Sequence, residues 1–348
     1  MTSRPLRVVQ VVCTDGFGGI ERYVTTLANG LAAHACRVSV LGGQARRMAR
    51  ELSGDVDSWH PARGVPEVFA RLALMGGADI VHAHMSHAEL AGALARPFTR
   101  AHLVVTRHFP ARRGATPAGR MAALAIRRAV DLQLASSADV AARVDGESEV
   151  VLPGVPTPAA QASGARRPIV LVVQRLEAEK DTATALRAWA HSGLGDQGWT
   201  LEVAGDGRER SMLERLASEL SITSSCRFLG AVEAVEPMLA RASILLATGP
   251  DEAFGLSVVE AMAAALPVVA TRSAGHLENV GACPDAVLFG PRDWREAGRS
   301  LRELAADPAR RDDYGRRLLA LQRERFSAER QVGDTLALYR ALVLGKGV

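Results

Sequence analysis

Asp251-Glu252-Ala253-Phe254-Gly255-Leu256-Ser257-Val258-Val259-Glu260-Ala261-Met262 decides how this chain of 348 residues folds. The apolar run Ile244 to Ala247 before it has the character of a buried strand, and Thr248-Gly249-Pro250 breaks that strand. After Gly255, small and apolar residues continue to Ala265, and Pro267 forbids further regular helix. The pattern is strand, loop and helix N-terminus, with Glu252 in the loop and Glu260 about one turn into the helix. Gly255 lets a ligand approach the backbone closely, and Ser257 is a good N-cap. Unpaired N–H groups at a helix start, reinforced by the helix dipole, favour an anion such as a diphosphate. A carboxylate one turn further in can accept two neighbouring hydroxyls, as a ribose would offer. Glu252 and Glu260 therefore bracket a phosphate site.

Upstream, Ile169 to Val173 reads as a buried strand that delivers Arg175 and Lys180 to a loop, with a helix beginning near Thr182. Of the 42 basic residues only Lys180 and Lys346 are lysines, so Lys180 marks a place for a compact ammonium rather than a planar fork. Strand and helix continue to alternate over Leu201 to Leu220. Phe228-Leu229-Gly230 reads as a strand end, and Val235 to Arg241 as a short helix. Helices are expected at Arg295–Asp307, Asp312–Arg325 and Ala328–Leu344.

The N-terminal half follows the same rhythm. Leu6 to Val12 reads as an apolar strand, buried on both faces, and Asp15-Gly16-Phe17-Gly18-Gly19-Ile20-Glu21-Arg22 leads into a helix to about Ala33. A second strand spans Val38 to Leu41, completing a βαβ unit. The glycines lack the third member of a dinucleotide fingerprint, and the second strand ends without an acid for a ribose, which disfavours an NAD site. His82 and His84 alternate at a strand end, with His87 beyond. They share a face, but no carboxylate or cysteine completes a metal set. His108 lies where another strand-like run, Leu103 to Phe109, passes into a loop, and a neutral imidazole there can hydrogen-bond a ligand. Thr157 to Pro168, rich in Pro, Ala, Gly and Ser, reads as an interdomain linker.

Glu-x-Phe-Gly-Leu-x-x-x-Glu-Ala-Met-Ala, followed by Leu266-Pro267-Val268-Val269-Ala270-Thr271, resembles the Glu-x7-Glu signature of retaining glycosyltransferases of family GT4, the glycosyl transferases group 1. Gly18, Gly19, Glu21 and Arg22 are similar to the family's loop beside the donor diphosphate. Arg175 and Lys180 resemble the pair that neutralises it, although Gln174 and Asp181 stand where the family usually has glycine. Ser273 to Val280 resembles another family motif, with His276 and Leu277 replacing the usual pair, and the family's Asn before Gly154 is missing. The resemblance implies an α/β protein of the GT-B fold: two Rossmann-like domains facing a cleft, with a C-terminal helix crossing back to the first. It implies an acceptor-binding domain at 1–156, a linker at 157–168, a nucleotide-sugar-binding domain at 169–325 and the crossing helix at 326–348. Catalytic roles fall to His108, Arg175, Lys180 and Glu252. Donor contacts fall to Gly18, Gly19, Phe254, Gly255, Leu256, Ser257, Glu260 and Leu229. No metal or other cofactor is implied, since two cations would do the work of Mg²⁺.

The implied function is sugar transfer, with retention, from a nucleoside diphosphate to an acceptor hydroxyl. A glycan, a lipid-linked acceptor or a small molecule would fit. A nucleotide-sugar epimerase or phosphorylase, or a non-catalytic nucleotide-binding module, is the alternative. A net charge of +4 and 4% aromatic residues argue against nucleic acid as a partner. Four cysteines without paired spacing, no eighteen-residue apolar run and no signal-peptide core lead to a cytoplasmic expectation. Between Arg96 and Arg128 eight arginines occur with no acid, which fits a solvated face or a surface for an anionic acceptor or membrane leaflet.

Overall fold

A computed structural model describes residues 4–114, 117–158 and 166–345, with the side chains of 117 and 118 left out. Most of the expected linker, and Lys346, lie outside the described residues. The chain divides into two compact units, Met1–Gly154 with Ser327–Val348, and Val155–Phe326.

Strands and helices alternate in the first unit as β1 (Arg7–Val12), α1 (Gly19–Ala33), β2 (Arg37–Leu41), α2 (Ala45–Glu51), β3 (Ser58–His60), α3 (Val65–Leu74) and β4 (Ile80–His84). They continue as α4 (Ser86–Thr99), β5 (His102–Arg107), α5 (Pro117–Ala129), β6 (Leu132–Ala135), α6 (Ala138–Arg143) and β7 (Glu149–Val150). All seven strands are parallel, in the order β3-β2-β1-β4-β5-β6-β7. A parallel sheet covered by helices on both faces needs apolar side chains on both. In β1, Val8 and Val12 join one core while Val9 and Val11 join the other. Gln10 interrupts this pattern. It is fully buried, so β1 carries a polar side chain into the core where the strand was expected to be apolar.

The second unit repeats the design with β8 (Ile169–Val173), α7 (Thr182–Ser192), β9 (Thr200–Ala204), α8 (Arg210–Glu219), β10 (Cys226–Gly230), α9 (Glu236–Arg241) and β11 (Ile244–Ala247). Then come α10 (Leu256–Ala263), β12 (Val268–Thr271), α11 (Ala274–Glu278), β13 (Val287–Phe289), α12 (Trp294–Ala306) and α13 (Pro308–Arg325). Its six parallel strands run β10-β9-β8-β11-β12-β13. Helix α13 starts four residues before the expected Asp312, because Asp307 caps Arg310 N–H at 2.9 Å and Pro308 suits the first helical position.

The last helix, α14 (Ala328–Val343), belongs to the first unit, where Val332, Leu336 and Tyr339 pack in the same core as α1. Gly30 permits this approach: a Cβ there would lie 2.3 Å from Val332 Cγ2. In each sheet the strand order reverses beside the first strand, between β1 and β4 and between β8 and β11. Ligands of open parallel sheets bind at the carboxyl ends of strands flanking such a reversal.

Candidate active site

In the second unit the residues singled out by sequence converge on the ends of β8 and β11. Lys180 Nζ lies 2.5 Å from Glu252 Oε2, and both side chains are about one-fifth exposed at 21% and 18%. The loop carrying Lys180 is held by Gln174, whose Nε2 donates to the Lys180 carbonyl at 3.0 Å and to Thr182 Oγ1 at 2.9 Å. Thr248, just past β11, donates to the same carbonyl at 3.1 Å. The backbone of Lys180 is thus tied to both strand ends. Neither Gln174 nor Thr248 is among the site residues that the sequence implies; Gln174 reads there only as a departure from glycine, and its role depends on where the chain folds back.

Asp181, the other departure, adopts φ 49°, a left-handed conformation for which glycine is the usual choice. It also begins α7, accepting hydrogen bonds from Thr184 N–H at 3.4 Å and Thr184 Oγ1 at 2.7 Å. The cap interaction offsets the strain of the backbone. Arg175 is brought to the same loop but points elsewhere, pairing with Glu179 at 2.7 Å on an exposed surface.

Helix α10 begins two residues earlier than a cap at Ser257 implies. Its N-cap is Gly255, at φ 87°, and Ser257 is the second helical residue rather than the cap. A Cβ on Gly255 would lie 3.1 Å from the His276 ring and 3.3 Å from Glu252 Cγ. That side of the turn is therefore filled by His276 and Glu252, and glycine is required by the backbone conformation and their packing. Buried His276 shares its Nδ1 hydrogen with the Thr271 carbonyl at 3.0 Å, and burial pushes its imidazole below the usual range against the opposing pull of Glu252. Leu256, Ser257 and Glu260 lie at the rim of α10, half-buried, while Val258, Val259 and Ala261 to Ala263 face the core. Residues three and four apart share a helix face, so Glu260 sits beside the first-turn N–H groups. Phe254 is buried, its carbonyl bonded by Asn279 Nδ2. Leu229 is 38% exposed, at a register shift in β10 between Phe228 and Gly230. A bulge of this kind re-aims a side chain on an edge strand.

The corresponding strand ends of the first unit carry a chain of uncharged polar side chains. Gly18 N–H is taken by Glu21 Oε2 at 2.7 Å, so the carboxylate of the Gly-Gly-x-Glu-Arg loop closes the turn upon itself. Gly19 opens α1 and keeps the outward N–H of a helix start. Beyond this loop, His108 Nε2 lies 3.1 Å from His84 Nδ1. His84 Nε2 meets Gln10 Oε1 at 2.8 Å, and Gln10 Nε2 donates to Tyr339 Oη at 3.2 Å. Tyr339 Oη reaches His82 Nδ1 at 2.6 Å, and His82 Nε2 reaches Thr106 Oγ1 at 2.6 Å. Both nitrogens of His82 and of His84 are thus engaged, which explains the paired strand-end histidines without a metal. Burial pushes His82 and His108 down to about 3, the charge of His108 and of Arg107 respectively adding to the effect, and holds His84 well below its usual value.

Three of the eight clustered arginines turn inward to acids outside the segment. Arg96 pairs with Asp131, and buried Arg107 and Arg113 share Glu89 and Asp145. Arg100, Arg112, Arg120, Arg127 and Arg128 stay exposed.

Residues 17–157 match Glycosyltransferase Family 4 and residues 157–318 match Glycosyl transferases group 1. The chain is 30% identical over 184 residues to a 2-deoxystreptamine glucosyltransferase of Streptomyces kanamyceticus, covering 51% of this chain and 46% of that protein. It is 32% identical over 178 residues to a GDP-mannose-dependent alpha-(1-6)-phosphatidylinositol dimannoside mannosyltransferase of Mycobacterium tuberculosis, covering 49% and 43%. The aligned segments thus span less than half the length of either relative. The crystal structure of Anabaena Alr3699/HepE in complex with UDP and glucose superposes with a TM-score of 0.79 at 19% identity, over 95% of this chain and 99% of that one. Its likeness establishes the GT-B fold. With both halves matched in sequence and the two parallel sheets matched in space, this chain belongs to the GT4 glycosyltransferases, glycosyl transferases group 1.

Proposed function

We propose that the protein transfers a sugar from a nucleoside diphosphate to an acceptor hydroxyl, with retention and without a metal ion. The observation that carries this reading is the Lys180–Glu252 pair beside the left-handed turn at Gly255, with Glu260 on the rim of the same helix. In the transition state the leaving diphosphate gains negative charge. Lys180 and the N–H groups of Leu256 and Ser257 supply the compensating positive charge, and Arg175 joins them only on leaving Glu179. Lys180 then trades Glu252 for a phosphate oxygen, and Glu252 is released to accept a hydroxyl of the transferred sugar. Glu260 accepts the ribose hydroxyls, and exposed Leu229 offers an apolar surface to the base. The first unit holds the acceptor, and His108 is that unit's candidate contact to a sugar hydroxyl.

Thermal denaturation with UDP, GDP, ADP, dTDP and NAD, on wild type and Glu260→Ala, tests the reading. A ligand at one hundred times its Kd stabilises by about 2.7 kcal/mol. One nucleoside diphosphate is expected to raise Tm, with most of the gain lost in Glu260→Ala. A response to NAD alone, or to nothing, rejects the donor site.

The acceptor is proposed to be a surface glycan or lipid-linked molecule met at an anionic membrane face. Helix α5 supports this, since Met121 is 70% and Leu124 44% exposed between Arg120 and Arg127-Arg128. Apolar side chains flanked by arginines suit an interfacial helix. Among the described residues no helix is long and apolar enough to cross a membrane. Equal sedimentation with anionic and neutral vesicles at low salt would reject the contact.

A further inference from the structure

Gln10 lies fully buried between Val8 and Val12, and its two amide atoms meet different partners. An amide oxygen only accepts a hydrogen bond, and an amide nitrogen only donates. His84 Nε2 must therefore carry the proton it gives to Gln10 Oε1, and a neutral His84 then has a bare Nδ1. That bare nitrogen lies 3.1 Å from His108 Nε2, so His108 supplies the hydrogen. A neutral His108 with its proton on Nε2 leaves Nδ1 unprotonated. On the other side of the amide, Tyr339 Oη accepts from Gln10 and so gives its own hydrogen to His82 Nδ1. His82 in turn donates from Nε2 to Thr106 Oγ1. One amide sets the direction of every hydrogen bond from Thr106 to His108.

We propose that Gln10 is a positioning residue that fixes His108 in its Nε2–H form, so that His108 Nδ1 selects a sugar hydroxyl and disfavours a phosphate oxygen. This rests on the reading of the first unit as part of a glycosyl-transfer site. A bare ring nitrogen and a phosphate oxygen are both acceptors and repel each other at contact distance, whereas a hydroxyl can donate. His108 is half-buried with exposed Phe109 beside it, and the Tyr23 ring stands edge-on to it at 4.9 Å between centroids. The ring is thus held at the strand end with its orientation constrained. Turning the amide by half a revolution would reverse the whole chain and present Nδ1–H, a phosphate-binding group. Position 10 therefore governs which part of a donor the histidine can recognise, although Gln10 itself touches no ligand.

Long-range proton–nitrogen NMR of the full chain carrying ¹⁵N-histidine tests this at neutral pH, with His84→Gln and His108→Gln for assignment. Wild type is expected to show protonated Nε2 and bare Nδ1 on both rings. Gln10→Met is expected to give a mixture of tautomers on both, while any Tm rise with UDP or GDP is retained. If that variant does not fold, Tyr339→Phe frees the amide to turn and gives the same readout. On titration with UDP, UDP-glucose, GDP and GDP-mannose, the His108 Nδ1 resonance is expected to move with a nucleotide sugar and stay in place with the nucleotide alone. A protonated Nδ1 on His108, or unchanged tautomers in both variants, overturns the role of Gln10. A shift with the nucleotide alone overturns the choice of hydroxyl over phosphate. The expected tautomer with no response to any nucleotide sugar, in protein whose Tm responds to nucleotide, overturns the ligand contact and the functional reading of His108 while leaving the hydrogen-bond direction standing.

Discussion

The two units present different chemistry at equivalent strand ends. In the second, an ammonium and a carboxylate face each other at 2.5 Å, each about one-fifth exposed. In the first, three histidines, a glutamine and a tyrosine form a neutral chain, with every ring nitrogen of His82 and His84 engaged. The difference follows from hydration. A partly wet ion pair can exchange one partner for a charged ligand at modest cost, whereas a buried neutral chain keeps its geometry because each lost hydrogen bond leaves an unsatisfied group. The second unit is built to meet charge and the first to hold direction.

The comparison breaks most sharply at Lys180. Removing one charged donor from a developing oxyanion typically costs ~2.7–4 kcal/mol, so Lys180→Ala is expected to lower kcat about 100-fold or more. Near-normal turnover with the preferred nucleotide sugar would contradict the ionic role.

In the first unit the expected response is to pH. His82 is held neutral down to about 3, against 6.5 in the unfolded chain. Below 6.5 the unfolded chain takes up a proton that the folded chain refuses, so stability falls as pH drops through that window. The slope approaches about 1.4 kcal/mol per pH unit for this one group. The stability advantage of wild type over His82→Gln is therefore expected to shrink from pH 6.5 towards pH 5 in urea titrations. An advantage independent of pH would show that His82 is not held neutral.

Gln174 joins the two kinds of site, being a neutral amide that orders an ionic one. Gln174→Leu leaves Lys180 present but loosely placed, and roughly a 10-fold loss of kcat is expected from misplacement. A variant equal to Lys180→Ala would mean that the loop collapses, and one equal to wild type that Thr248 suffices. The smallest effect belongs to Asp181→Gly. Losing a helix cap costs about 1 kcal/mol, while glycine relieves the left-handed strain, so stability should change by less than about 1 kcal/mol.

Much of this architecture was legible in the sequence. Short apolar runs alternating with amphipathic stretches led to parallel sheets, and the string from Glu252 to Thr271 led to the family. The elements between residues 45 and 74, α2, β3 and α3, were not read, because the three-residue edge strand β3 is too short for a periodic signal. By residue type Ser257 suits a cap, yet the left-handed Gly255 takes that place two residues earlier. The basic segment was read as one surface, but Arg96, Arg107 and Arg113 meet acids outside it.

By itself the sequence determined the alternation of strands and helices, the fold class and the family, since these depend on local periodicity and motif spacing. Only the tertiary structure decided what Gln10, Gln174 and His276 do. Each acts through a partner on another element, Gln10 through Tyr339, 329 positions away along the chain. Hydrogen-bond direction is a property of the assembled network, because one amide can donate or accept according to which neighbours the fold brings to it.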